Sequence, residues 1–244
     1  MFARYVVRGA KAGLVGGLAF AAFVALVANP LVGYAETFEH SHGGGPVVSG
    51  AVTAAVSVAG GVLLGVLFGA VAFGAAFYFL EPAVPGSDET KSYVLAAAGF
   101  VTVSGAPWLV LPPQPPGVEQ ALATDVRLAW YLGMMVVGAV ACGLSLYAFA
   151  RLRPRHGRLP ALAGGCVPLA LIPLAASAAA ANPASGAVPA RLATVFRAVT
   201  ASGQLGLWFV IATAHVWFVR RERAGDPDAE TTEVADTPGS VLSD

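Results

Sequence analysis

Six apolar runs constrain this chain more than any other feature: about residues 10 to 29, 48 to 79, 92 to 111, 128 to 150, 160 to 181 and 198 to 219. Each is close to or beyond the ~20 residues that carry a helix across a ~30 Å hydrocarbon core. The runs are continuous and rich in Ala, Leu and Gly, without the period-2 alternation of an outer-membrane barrel. Only helices and closed barrels satisfy their backbone groups in lipid, so the expected fold is all-α: a polytopic membrane protein of about six transmembrane helices. With 57% hydrophobic and 11% charged residues and a mean hydropathy of +0.71, the composition leaves no room for a soluble domain of ordinary kind. The helical domain is expected over residues 1–223. Residues 224–244 carry six acidic and no basic side chains without apolar periodicity, and read as an acidic, disordered cytoplasmic tail.

Lys and Arg accumulate on the cytoplasmic side of a membrane, which orients the runs. With both termini inside, Arg4, Arg8, Lys11, Lys91, Arg151, Arg153, Arg155, Arg158, Arg220, Arg221 and Arg223 are cytoplasmic, and only Arg127, Arg191 and Arg197 are outside. A multi-pass protein of the cytoplasmic membrane is therefore expected, with the lipid bilayer as its first partner. The second run is awkward, because ~32 helical residues would rise ~48 Å, so it tilts or extends past the core. The first run also has features of a secretory signal, with Gly33 and Ala35 as a small-x-small site, although its apolar core is longer than a signal needs.

Small residues recur every four positions in the first two runs. Gly9, Gly13, Gly17, Ala21 and Ala25 form one series; Ser49, Thr53, Ser57, Gly61, Gly65 and Gly69 form the other. Residues four apart share a helix face, so each helix presents a flat ridge on which another backbone can approach closely.

Candidate chemistry concentrates in "YAETFEHSHGGGP", between the first two runs and on the outer side of the expected topology. Glu36, Glu39, His40 and His42 supply carboxylate oxygens and imidazole nitrogens, donor types suited to first-row divalent ions such as Zn2+, Ni2+ or Co2+. The competing reading is a plain solvated loop, since Glu, His and Gly are ordinary loop residues, and the spacing is not that of a zincin. His215 lies inside the last run, where an ionisable side chain is a candidate pathway residue or one satisfied by interfacial water or by a neighbouring helix. After the third run Pro112, Pro113, Pro115 and Pro116 predict a stiff loop, suited to capping a pore mouth or simply to ending the helix. Cys142 and Cys166 fall within apolar runs and read as small hydrophobes. No phosphate-binding loop, dinucleotide fingerprint or nucleophile elbow is present, so neither an enzyme nor a nucleotide-driven pump has residues to stand on. One short basic segment makes no nucleic-acid site.

The order of "RGAKAGLVGGLAF", the Glu/His segment, "GFVTVSGAPWLVLPPQPPGV", "RLAWYLGMM" and "FRAVTASGQLGLWFVIA" resembles the predicted cobalt transporter subunit family, CbtA, over about residues 1 to 220. The resemblance implies cobalt uptake across the cytoplasmic membrane for cobalamin biosynthesis, with Co2+ or Ni2+ as cargo and no permanently bound cofactor. It also implies a small single-span CbtB-like partner, and further copies of the chain are a second candidate partner. Positions matching the family pattern are Glu36, Glu39, Trp108, Pro112, Pro115, Pro116, Arg127, Arg197 and Trp208. Where members commonly carry a run of histidines, this chain has His40 and His42. The alternative from a different class is a structural or assembly subunit that transports nothing, since the runs contain almost no carboxylates.

Overall fold

The structure, a computed structural model, describes residues 1–39 and 50–224, so His40, His42, Ser49 and all but Ala224 of the acidic tail expected over 224–244 lie outside the described residues. The described chain is six helices with a two-residue strand pair at one end. Helix α1 runs Phe2–Phe23 and continues through a π turn, Val24–Ala28, into Asn29–Glu39. Helix α2 runs Gly50–Leu67, then a π stretch Phe68–Ala75 and Ala76–Leu80. Helix α3 comprises Asp88–Phe100, Val101–Gly105 and Ala106–Trp108. Helix α4 is Thr124–His156. Helix α5 is Arg158–Cys166, a 3-10 turn Val167–Ala170 and Leu171–Ala176. Helix α6 is Ala190–Ala224.

Among the described residues five stretches are long and apolar enough to cross a membrane: Phe2–Phe38, Ala55–Ala83, Thr124–His156, Arg158–Ala176 and Ala190–Ala224. The remaining expected run, 92 to 111, is α3, which is not among these five. Its first turn carries Asp88, Glu89 and Lys91, and it packs between α6 and α4 rather than standing alone against lipid. A helix of its length rises roughly 30 Å, enough to carry the chain from one end of the bundle to the other.

Prolines set the local breaks. Pro107 has no N–H for the carbonyl of Val103 four residues earlier, and helix α3 widens there into its π turn. The freed Val103 carbonyl accepts the Tyr131 hydroxyl of α4 at 2.8 Å. Pro30 follows the π turn of α1 and Pro168 sits in the 3-10 turn of α5, by the same logic. Only Gly157, at φ +81°, separates α4 from α5, which makes them an antiparallel hairpin.

Packing order follows from side-chain size. Helix α1 lies between α2 and α6, α3 between α6 and α4, and α5 against α4. The two predicted ridges meet over part of their length, Gly9, Gly13, Gly17 and Ala21 against Gly61, Gly65 and Gly69. A Cβ at Gly69 would lie 2.7 Å from the Gly13 nitrogen, one at Gly65 would lie 2.7 Å from the Gly13 carbonyl oxygen, and one at Gly17 would lie 3.1 Å from the Gly61 carbonyl oxygen. Gly74 extends the contact beyond the predicted series, to the Tyr5 carbonyl oxygen at 2.6 Å. Helix α1 turns a second small face, Ala12 and Gly16, toward Leu207 and Ile211 of α6, and Gly99 of α3 lies beneath the Trp208 ring. Phe73, Phe77, Leu95 and Ala96 complete this core; a smaller one gathers Ala106, Val110, Met134, Ala141 and Ile172 between α3, α4 and α5.

Replacing Gly65 by leucine should disrupt the α1–α2 contact, since overpacking by a few methylenes costs about 1–3 kcal/mol and backbone cannot yield as a side chain can. Gly60, with open space at its Cβ position, should accept alanine with a gain of about 0.5–1 kcal/mol. Thermal unfolding of the two variants in detergent, followed by monodisperse fraction, checks both.

Candidate functional site

Ion pairs gather one end of the bundle. The Tyr5 hydroxyl donates to Glu81 Oε2 at 2.8 Å, and Lys91 Nζ approaches Glu81 Oε1 at 3.4 Å, so Glu81 ties α1 to α3 through the end of α2. Arg8 Nη2 pairs with Glu222 Oε2 at 2.5 Å, and Arg220 and Arg223 of α6 pair with Glu89 and Asp88 at the start of α3. These carboxylates sit in the first turn of α3, where the helix dipole favours negative charge and Ser87 Oγ accepts from the Thr90 N–H at 3.3 Å. A polar cavity of about 200 Å³ lies among Arg4, Tyr5, Arg8, Glu81, Asp88 and Glu222. Both ends of the described chain meet here, because Arg8 and Glu222 touch.

His215 lies one helical turn deeper than Val219, which lines that cavity, and is fully buried. Ser92 Oγ donates to the Asp88 carbonyl at 2.8 Å and lies 3.0 Å from His215 Nδ1. A hydroxyl has one proton, so with Ser92 donating to Asp88 the imidazole must donate through Nδ1–H. The neutral Nδ1–H tautomer leaves a lone pair on Nε2, which has no hydrogen-bond partner and is held between the Phe73 and Phe77 rings at centroid distances of 5.0 and 4.6 Å. The expected candidate His215 is therefore a core residue with one satisfied and one unsatisfied nitrogen, rather than a ring reaching interfacial water.

The opposite end holds the proline-rich loop. Arg197 of α6 donates from Nε to the Pro113 carbonyl oxygen at 3.3 Å and from Nη2 to Gln114 Oε1 at 2.9 Å, fixing the loop over the helix ends. Pro115 is buried, Pro112 and Pro116 are half-buried, and Trp108 packs edge-on to Phe100. The loop ends in strand β1, Glu119–Gln120, which pairs antiparallel with β2, Ala184–Ser185, and Asn182 bridges Gln120 and the Leu122 N–H at 2.9 and 3.1 Å. Arg127 donates to Thr124 Oγ1 at 3.0 Å, while its buried Nε has no partner. Thus Arg197 and the prolines form one unit; Arg127 bonds only within the first turn of α4 among the hydrogen bonds found.

The expected metal ligands begin on this same side of the bundle. Glu36 and Glu39 are not on an open loop: α1 continues to Glu39, and Glu36 is half-buried in the helix. The uncharged stretch from Lys11 to Glu36 rises roughly 37 Å, more than the ~30 Å hydrocarbon core. Tyr34 and Phe38 of the same turns face Pro189, Leu192 and Val195 at the start of α6. Among the described residues no group of three or more His, Cys, Asp or Glu is placed to hold a metal. His40 and His42 lie outside them.

The sequence pattern described as a probable cobalt transporter subunit, CbtA, matches residues 2–220, nearly the whole helical part of the chain. The chain belongs to the CbtA family. No curated protein and no solved structure matches it. As a CbtA family member with five helices apolar enough to span a bilayer, it is a membrane protein and a subunit of a transport system rather than a free-standing module.

Sequence reading missed the Ser92–His215 pair and the Glu81, Asp88, Glu89 and Glu222 network. Ser92 offered one local signal, a hydroxyl four residues after Asp88 inside an apolar run, but its partner is 123 positions away. Changing Ser92 to alanine should leave the His215 Nδ1–H buried without an acceptor and cost about 1–3 kcal/mol, read as a lowered unfolding temperature of the purified protein. Changing Arg197 to alanine should release the loop, and hydrogen exchange of the backbone amides at 117–122 should rise while that of α1 and α2 stays unchanged.

Proposed function

We propose that this CbtA family member is the polytopic subunit of a divalent-ion uptake system of the cytoplasmic membrane, with Co2+ or Ni2+ as cargo. Both termini lie in the cytoplasm, and α3 counts as the sixth span. Glu36, Glu39, His40 and His42 collect the ion at the outer face. The family match over residues 2–220 carries the reading.

The distribution of charge supports the orientation. The paired end of the bundle holds Arg4, Arg8, Lys91, Arg220 and Arg223, and the positive-inside rule puts such an end in the cytoplasm. On this reading Glu36 and Glu39 stand outside, at positions i and i+3 of one helix, a spacing that places residues on one helix face. Two carboxylates so spaced form half of an oxygen and imidazole donor set for a first-row ion. The partner that receives it is a small single-span CbtB-like subunit, or a second copy of the chain.

Cells depending on this system, expressing the chain with Glu36, Glu39, His40 and His42 all changed to alanine, should accumulate cobalt at limiting supply about tenfold more slowly, equivalent to ~1.4 kcal/mol of lost ion binding. Uptake equal to that of the parent chain, at equal membrane abundance, would remove the segment from the mechanism.

A further inference from the structure

Helices α3, α4 and α5 enclose an apolar groove of about 480 Å³ that the ion-uptake reading does not use. Its lining is hydrophobic except for Thr90, Ser145, the thiols of Cys142 and Cys166, and Arg158. Along α3 the lining runs from Thr90 to Val101, and along α5 from Arg158 to Leu169, in each case eleven residues apart. That separation is a helical rise of roughly 16 Å, close to the ~15 Å depth of one leaflet's hydrocarbon. The groove thus starts at the basic end of the bundle and stops near the middle.

Charge at its mouth is unbalanced. Arg8, Lys91, Arg220 and Arg223 all have carboxylate partners. Arg151, Arg153, Arg155 and Arg158, on the α4–α5 hairpin, have no ion-pair partner among the described residues and are all exposed. An apolar slot one leaflet deep, with unneutralised guanidinium groups at the headgroup level, is complementary to one class of molecule. We propose that the groove binds an anionic phospholipid, one acyl chain lying between α3, α4 and α5 and the phosphate on Arg158, with the neighbouring hairpin arginines adding to the field.

Size favours lipid over protein as the occupant. A helix ~10–12 Å across occupies roughly 1,500 Å³ over the same ~16 Å, three times the groove. An acyl chain is a single file of methylenes, each gaining about 0.8 kcal/mol on leaving water but little on exchange between lipid and groove. The preference must therefore come from the headgroup, where each arginine near the surface attracts anionic lipid by about 1 kcal/mol.

Native mass spectrometry of the purified full chain, exchanged against phosphatidylglycerol or phosphatidylcholine of identical acyl chains, tests this. The parent chain should retain several-fold more phosphatidylglycerol than phosphatidylcholine. Arg158→Gln should cut phosphatidylglycerol retention about fivefold and leave phosphatidylcholine unchanged, while Arg158→Lys restores most of it. Ala97→Trp, which fills the groove, should lower retention of both lipids; Leu162→Trp replaces it if that variant does not fold. Equal retention of the two lipids by the parent chain overturns the proposal. So does phosphatidylglycerol retention that survives either the Arg158→Gln or the groove-filling change, and so does a co-purifying protein chain that the groove-filling change displaces.

Discussion

The structure depends on the close approach of α1 and α2. Within lipid there is no hydrophobic gain in bringing two apolar helices together, so association rests on van der Waals contact and on weak backbone Cα–H···O interactions, both of which need small residues. Gly9, Gly13, Gly17, Gly61, Gly65, Gly69 and Gly74 supply that contact. Its register has consequences at a distance. It brings Tyr5 to Glu81 at one end, and it carries Phe73 and Phe77 to where they enclose His215. Because Gly16 sits 100° around from Gly17, α1 can present a second small face to α6 without loosening the first.

A second division follows from charge. Helices α1, α2, α3 and α6 are joined at the basic end by ion pairs whose partners come from different helices. Exposed pairs of this kind add little to stability singly, but they fix which helix ends lie together. The α4–α5 hairpin takes no part in the network and is held instead by apolar packing and by the Tyr131 hydroxyl on the carbonyl that Pro107 cannot serve. Charge thus fixes the helix ends of one half of the bundle, while both halves are held by packing.

The sequence exposed what is periodic or compositional. Helix class, most span positions and both small ridges could be read from it because a four-residue spacing survives in one dimension. The proline-rich loop was legible as a stiff element, though not its anchor, since Arg197 lies 83 residues from Gln114. His215 shows the limit most plainly. A histidine near a helix end has the same local sequence whether it meets lipid headgroups or a serine on another helix, and only the α3–α6 packing decides. The continuation of α1 to Glu39 was hidden for the opposite reason: glutamates after an apolar run read as a loop, although their i, i+3 spacing suits one face of a helix.

That continuation changes the physical argument about cargo. Nitrogen and oxygen donors rank divalent ions by the Irving–Williams order, so nickel and copper outcompete cobalt wherever the donors are free to adapt. Donors on a glycine-rich loop are free in this sense, since the backbone can close on ions of different geometric preference. The helix fixes the backbone spacing of positions 36 and 39 before any ion arrives. On the proposed reading, an ion meets the carboxylates at the end of α1 from backbone positions that the fold sets in advance.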